Sequence, residues 1–172
     1  MNPQFKRFNV NGVKARAIYS YNETIRSALY QLKGCGDIEL ASIFVSQFSP
    51  ILRLIYHGYS LIPAPSSQSH DDRRGFNQVI EIFKYLKLPI IRPIFNPFDI
   101  KQSDQSKKDR ARIGEFLRYD ESIKIQNKKI LFVDDVYTTG STCKACLKLI
   151  KEHNPAKIKV LVMSKVEQKV TA

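Results

Sequence analysis

The sequence has 172 residues, a formal net charge of +12 and an isoelectric point near 9.7. This length fits a single domain with a sizeable hydrophobic core, and no stretch reaches the ~20 apolar residues of a membrane-spanning helix. The polar start MNPQFKRFN is unlike a signal peptide. We therefore expect one cytoplasmic domain over residues 1–172, without membrane insertion.

The first third of the chain predicts a hairpin followed by helices. Two alternating segments flank Asn11 and Gly12, a dipeptide that tolerates the positive φ angles of a type I′ turn. Asn22 can cap a helix that ends at Gly34. A second helical stretch is predicted over residues 37–55, broken at its proline, Pro50.

From Gly58 onward, predicted strands and helices alternate. The strands are YSLIPAP, PIIRPIF, KKILFVDD and AKIKVLVMSKV, and the helices are GFNQVIEIFKYLKL, a segment from Ser106 towards Leu117, and residues 141–153. Residues 96–105 have no periodicity and predict a mobile loop. The pattern indicates an α/β fold, with a mainly parallel twisted sheet flanked by helices. The hairpin and first helix would form a small N-terminal hood over residues 1–35, beside a core over 58–172.

The pattern of the cysteines predicts buried structural residues rather than a redox or metal site. Cys143-x-x-Cys146 has the spacing of some redox and zinc motifs. Together with Leu147 and Ile150, however, this pair follows the i, i+3, i+4, i+7 spacing of one helix face. With Cys35 as the remaining cysteine, no second pair is available, so we expect a reduced, structural role.

The stretch ILFVDDVYTTGST, residues 130–142, carries the main functional signal. An apolar strand ends at Asp134 and Asp135, and ligands of open α/β sheets collect beyond the carboxyl ends of strands. The following loop opens a helix, whose free N–H groups and dipole favour a phosphate. We expect the two carboxylates to accept hydrogen bonds from ribose hydroxyls. The predicted phosphate-binding residues are Thr138, Thr139, Gly140, Ser141 and Thr142.

This stretch resembles the signature of the type I phosphoribosyltransferases, which bind phosphoribosyl pyrophosphate (PRPP) with Mg²⁺ on such a loop. The order of LIPAPSS, RRGFNQ and a later Arg-containing segment is similar to the ComF (ComFC) branch, whose members support DNA uptake during natural transformation. The resemblance covers most of the chain. It implies PRPP as ligand or substrate, or another ribose 5-phosphate compound. It also implies Mg²⁺ held through the pyrophosphate and by Asp134 and Asp135, and other DNA-uptake or DNA-processing proteins as partners.

By position, the resemblance also implies a pyrophosphate site. Its loop would run from Pro63 to Ser67, with Asn77 nearby and Gln102 on the mobile loop. Independently of the family, the basic residues from Lys107 to Arg112 could close over a pyrophosphate electrostatically, Arg112 included. The predicted pyrophosphate-binding residues are Ala64, Pro65, Ser66, Ser67, Arg74, Lys107, Lys108 and Arg110.

The positive charge is concentrated at the two ends of the chain. Residues 1–33 hold six Lys or Arg against one acid, and residues 124–172 hold ten against four. A solvated basic surface and a surface for a polyanion both fit this distribution. The first 33 residues are also rich in aromatics, which can stack on bases. The predicted DNA-binding residues are Lys14, Arg16 and Tyr21.

Three functions fit these patterns. The first is a competence protein that binds single-stranded DNA and a Mg-PRPP-type ligand, and this is the one we predict. The second is an active phosphoribosyltransferase of nucleotide salvage, in which pyrophosphate leaves the anomeric carbon and a nucleobase replaces it. The third is a sensor or interaction module regulated by PRPP. No side chain in the sequence stands out as a base-reading acid or a general base.

Overall fold

The computed structural model describes residues 2–34, 38–66, 75–97 and 116–167. Their strands are β1 (Lys6–Val10), β2 (Val13–Ser20), β3 (Tyr59–Pro63), β4 (Ile94–Phe95), β5 (Arg118–Tyr119), β6 (Lys129–Tyr137) and β7 (Lys157–Lys165). Their helices are α1 (Glu23–Gly34), α2 (Leu40–Val45), α3 (Ser49–Ile55), α4 (Gln78–Phe83) and α5 (Ser141–Glu152). No helix in these ranges is long and apolar enough to cross a membrane.

Five strands form the central sheet in the order β1-β2-β7-β6-β3. All neighbouring pairs are parallel except β1 and β2, which form the predicted hairpin. Asn11 and Gly12 at its turn have φ angles of 49° and 83°, as a type I′ turn requires. The hairpin belongs to the main sheet, because β2 pairs directly with β7. The prediction of a mainly parallel α/β sheet is confirmed.

Helices cover both faces of this sheet and enclose two hydrophobic cores. Alternate residues of β6 show the arrangement, since Leu131 packs in the core under helices α1–α4 while Phe132 packs in the core under α5. Cys143 and Cys146 lie in the second core, almost wholly buried, so their predicted burial on one helix face is confirmed.

The caps of the early helices follow from local sequence. The Asn22 side chain accepts a hydrogen bond of 2.9 Å from the N–H of Ile25, which confirms the predicted cap of α1. The second helical stretch is two short helices joined by a 3₁₀ turn at Ser46–Phe48. Pro50 therefore lies in the first turn of α3 rather than at the break, because that turn does not use the N–H group that proline lacks.

The predicted strand PIIRPIF is mostly irregular. Only Ile94 and Phe95 form a strand, β4, which pairs with β5 outside the main sheet. Ile90 makes a single parallel bridge to Leu61 on β3, flanked by two backbone hydrogen bonds of 2.7 and 2.9 Å. The prediction of a full strand is wrong because the two prolines of the segment cannot donate to a ladder.

Candidate ligand site at the carboxyl edge of the sheet

Asp134 and Asp135 lie where β6 extends beyond the end of its neighbour β3. The pairing of β3 with β6 ends at Pro63 and Val133, and the N–H of Ala64 then donates to the Val133 carbonyl over 2.8 Å. The strand β6 continues along β7 to Tyr137. The two aspartates therefore come directly after the point at which β3 turns away, which opens their side of the sheet to a ligand.

The two carboxylates differ in burial and in hydrogen bonding. Asp135 is 8% exposed, and its oxygens accept from the side-chain amide of Gln78 and from the N–H of Val136. Asp134 is half-buried and accepts from the N–H of Asp135 over 2.9 Å. Protein donors thus fix the orientation of Asp135, while Asp134 presents the larger surface. Gln78 ends the RRGFNQ motif, but its bond to Asp135 was not predicted, since this partner is 57 residues away in the chain.

The loop after β6 leads directly into the first turn of α5. Thr138, Thr139 and Ser141 are exposed, and the hydroxyls of Thr139 and Ser141 lie 3.1 Å apart. A shallow hollow of about 30 Å³ lies here, and its lining includes Asp134, Thr138, Gly140, Ser141 and Thr142. The predicted ribose-binding residue Asp134 therefore lies with four of the five predicted phosphate-binding residues, beside the N–H groups that open a twelve-residue helix. The carboxylate of Asp135 instead faces Gln78 on α4.

The Tyr137 side chain leaves no room for a Cβ atom at position 140. Gly140 has a φ of +75°, and a Cβ atom built on it would lie 2.2 Å from the Tyr137 hydroxyl oxygen. The Tyr137 ring packs edge-on against Phe8, with the ring centroids 4.9 Å apart. Burial raises the pKa of Tyr137, so its hydroxyl stays neutral at physiological pH. The close approach of ring and loop backbone was not predictable from the sequence.

A second hollow, of about 50 Å³, lies beside the loop after β3. The Asn77 side-chain amide donates to the Ser66 hydroxyl over 2.5 Å, and its oxygen caps α4 by accepting from Ile80. Arg92 lines the same hollow and was not predicted. The structure thus brings Asn77 together with three predicted pyrophosphate-binding residues, namely Ala64, Pro65 and Ser66.

Known proteins are similar in sequence to most of this chain. The phosphoribosyl transferase domain family matches residues 91–170. The competence protein ComFC of Bacillus subtilis is 29% identical over 143 residues, which are 82% of this chain and 59% of that protein. ComFC of Streptococcus pneumoniae is 33% identical over 155 residues, which are 86% of this chain and 66% of that protein. The chain belongs to the ComFC family.

This ComFC family chain spans 59% and 66% of the length of the two ComFC proteins that it matches. Among solved structures, a hypoxanthine phosphoribosyl transferase of Trypanosoma cruzi overlaps 76% of this chain and 76% of its own. The two are 14% identical, with a TM-score of 0.48. The fold class rests on the sheet order described above and on the family match.

Several predicted residues of the ComFC family chain lie outside the described ranges. The predicted mobile loop is described only at Asn96 and Pro97, and the helix predicted from Ser106 only at its last residues. The ligand roles of the undescribed positions stay predictions. They are Ser67, Arg74, Gln102, Lys107, Lys108, Arg110 and Arg112.

The chemistry of the aspartate pair fits Mg²⁺ held largely by a ligand. Within the described ranges, no group of three or more His, Cys, Asp or Glu side chains could hold a metal ion. In phosphate sites, Mg²⁺ is commonly bound through one or two carboxylates together with phosphate oxygens and water. Asp134, the more exposed of the two carboxylates, suits that mode.

The predicted DNA-binding residues do not lie together. Lys14 and Arg16 point from the first half of β2 into one groove. Tyr21 follows the other end of β2, where its N–H donates to Lys165 over 2.9 Å and its side chain packs against a core. Seven residues of extended chain separate Lys14 from Tyr21 by roughly 23 Å.

Proposed function

We propose that this ComFC family chain is a competence protein of natural transformation that binds a Mg-PRPP-type ligand and single-stranded DNA. One observation carries the ligand proposal. The carboxylate of Asp134 lies beside a hydroxyl-rich loop that opens α5, and Asp135 follows it on β6. Acceptors for sugar hydroxyls thus adjoin donors for a phosphate. The competence role rests on the two ComFC relatives.

Different residues of the site bind different parts of the ligand. Asp134 accepts from the ribose hydroxyls, and Asp135, held by Gln78, keeps the second acceptor in place. The hydroxyls of Thr139 and Ser141 and the first N–H groups of α5 bind the 5-phosphate. The loop after β3 contributes backbone and hydroxyl donors to the pyrophosphate. Bound Mg²⁺ supplies positive charge that neutralises the pyrophosphate oxygens.

Single-stranded DNA accounts for the remaining charge of the chain. A ribose phosphate ligand needs only a few cations, whereas the chain carries 28 Lys and Arg against 16 Asp and Glu. Neutralising the phosphates of a single strand releases counterions, with a salt slope of about −0.7 per contact. We therefore expect binding with little sequence preference that weakens steeply as salt rises.

Calorimetric titration with PRPP and Mg²⁺ tests the ligand site. The wild type should bind, and the double variant Asp134→Ala/Asp135→Ala should lose measurable binding while its circular dichroism spectrum stays native. The isosteric double variant Asp134→Asn/Asp135→Asn separates charge from packing. As a control for lost negative charge, Glu39→Gln/Glu152→Gln changes two exposed carboxylates away from the loop and should bind like the wild type. Unchanged PRPP affinity in both Asp134/Asp135 double variants would refute the site.

The second candidate is an active phosphoribosyltransferase of nucleotide salvage. The matched phosphoribosyl transferase domain over residues 91–170 favours it. Its reaction would release pyrophosphate from the anomeric carbon as positive charge develops on the ribose ring. Incubation with PRPP, Mg²⁺ and each common nucleobase decides between the two. Base-dependent release of pyrophosphate together with formation of a nucleotide would establish the enzyme.

A further inference from the structure

A basic groove crosses β1, β2 and β7 near the amino ends of the parallel strands. Its volume is about 540 Å³, and its floor includes the buried residues Ala15 and Val160. Five cationic side chains line it: Arg7, Lys14, Arg16, Lys157 and Lys159. We call it the amino-edge groove. It is distinct from the ligand site, because five strand residues, or roughly 17 Å, separate Lys129 at this edge from Asp134 at the other.

The strand register places like charges opposite each other at this groove. Arg7 on β1 pairs directly with Arg16 on β2. On the adjoining strands, Lys129 of β6 pairs directly with Lys157 of β7. Like charges at directly opposed positions destabilise a sheet. No carboxylate in the described part of the chain forms an ion pair with any of these four side chains. The fold therefore carries a repulsion that a bound anion would relieve.

Lys159 lies at the centre of this repulsion. Burial lowers its pKa, and so does repulsion from four surrounding cations, namely Lys157, Arg16, Lys14 and Lys129. Its Nζ atom lies 5.3 Å from the ring centroid of Tyr56 and 5.2 Å from that of Tyr59. These two contacts hold the ammonium group over the rings. Tyr56 is only 1% exposed, so it supports Lys159 and offers no free face for a base.

We propose that the amino-edge groove binds the sugar-phosphate backbone of single-stranded DNA, through charge rather than through base stacking. This inference rests on the proposed DNA binding and adds its location. Strands β1, β2 and β7, which the groove crosses, together span roughly 10 Å. That width exceeds a single phosphate group and suits successive phosphates of one strand. Because the ligand site lies at the opposite edge, PRPP and DNA should bind at the same time.

The test measures binding of a labelled oligodeoxythymidylate by fluorescence anisotropy, between about 50 and 200 mM salt. Lys14→Glu/Lys157→Glu reverses two exposed charges in the groove. Its matched control, Lys124→Glu/Lys148→Glu, reverses two exposed charges elsewhere and changes the net charge equally. The groove variant should bind about tenfold or more weakly at low salt, with a salt slope smaller by about 1.4 for the two lost contacts. The control should stay within about twofold of the wild type.

Two further measurements keep the result interpretable. Lys14→Gln/Lys157→Gln removes the two charges without reversing them and should lose affinity while keeping or raising the melting temperature, because it relieves part of the repulsion. Saturating Mg-PRPP should leave oligonucleotide affinity unchanged in the wild type. The PRPP affinity of the groove variants should also equal that of the wild type, which shows that the carboxyl edge is intact.

Each contrary result has one meaning. Equal losses in the groove and control variants would overturn the groove proposal, because net charge alone would then explain binding. If the wild type and the groove variants bind DNA equally well, the groove proposal is also overturned. The proposed DNA binding would then stand, at another surface. Displacement by polyglutamate as efficient as by unlabelled oligonucleotide would indicate an acidic protein as the partner and overturn the proposal. A wild type that binds no oligonucleotide would overturn both DNA proposals, leaving the PRPP proposal to its own titration.

Discussion

Gln78, the first residue of α4, donates a hydrogen bond from its side-chain amide to the carboxylate of Asp135 on β6. Both side chains are 8% exposed, so neither can exchange this partner for bulk water. The bond ties the helix that follows the loop after β3 to the strand that carries the acidic pair. The geometry of the ligand site therefore depends on the packing of α4.

The first prediction concerns this hydrogen bond. Gln78→Leu should lower the free energy of unfolding by about 1–3 kcal/mol, because a buried carboxylate loses a donor. It should also weaken PRPP binding, since Asp135 is no longer held. Urea denaturation and calorimetry measure the two effects. The control Gln126→Leu makes the same exchange at an exposed position and should change stability by no more than about 0.5 kcal/mol. Equal stabilities for the two variants would show that the bond contributes nothing.

The second prediction concerns the glycine of the phosphate loop. Gly140→Ala and Gly12→Ala both place a Cβ atom at positive φ, which costs about 1 kcal/mol. Only at position 140 does the new atom also meet a neighbour, the Tyr137 ring. Gly140→Ala should therefore be the more destabilising and the only one of the two that weakens PRPP binding.

A double-mutant cycle with Tyr137→Ala isolates this contact. In that background, the cost of Gly140→Ala should fall to roughly that of Gly12→Ala, as measured by thermal unfolding. An undiminished cost would mean that the ring moves aside freely and that the φ angle alone requires glycine.

The third prediction concerns the cysteines of α5. Burial, with a smaller contribution from Asp134, raises the pKa of Cys143 to about 12, and burial also raises the pKa of Cys146. A raised pKa leaves almost no thiolate at pH 8, and the thiolate is the reactive form. In a Cys35→Ser background, a disulfide reagent should therefore label the native protein very slowly. The denatured protein should gain two labels quickly. Rapid labelling of the native protein would restore the redox interpretation of this pair.

The fourth prediction concerns Ser164 on β7. Its side-chain oxygen is buried and has no hydrogen-bond partner among the residues that the structure describes. Replacing an unpaired buried hydroxyl by hydrogen removes a desolvation cost of about 1–3 kcal/mol and leaves only a small gap. Ser164→Ala should thus keep or raise the melting temperature. A clear loss of stability would reveal a partner for the hydroxyl in solution, such as a buried water molecule.

Local sequence was sufficient for several features. The Asn11-Gly12 turn and the Asn22 cap each depend on a few neighbouring residues, so their conformations follow from local sterics and hydrogen bonding. Asp134 and the loop of residues 138–142 are close in the chain, so their meeting at one helix start required only a strand followed by a helix. The cysteine face of α5 followed from helical periodicity.

Other features exist only because distant segments pack together. The sequence does not show that β2 lies beside β7, or that Lys129 therefore shares an edge with Lys157 and the cations of the hairpin. Nor does it pair Gln78 with Asp135. Partners in different strands and helices are selected by which apolar faces can be buried together, a property of the whole core. The sequence thus determined which chemical groups the strand end and the following loop offer to a ligand. Tertiary packing determined that Gln78 holds the Asp135 carboxylate, and it brought the cations of the amino-edge groove together at the opposite edge of the sheet.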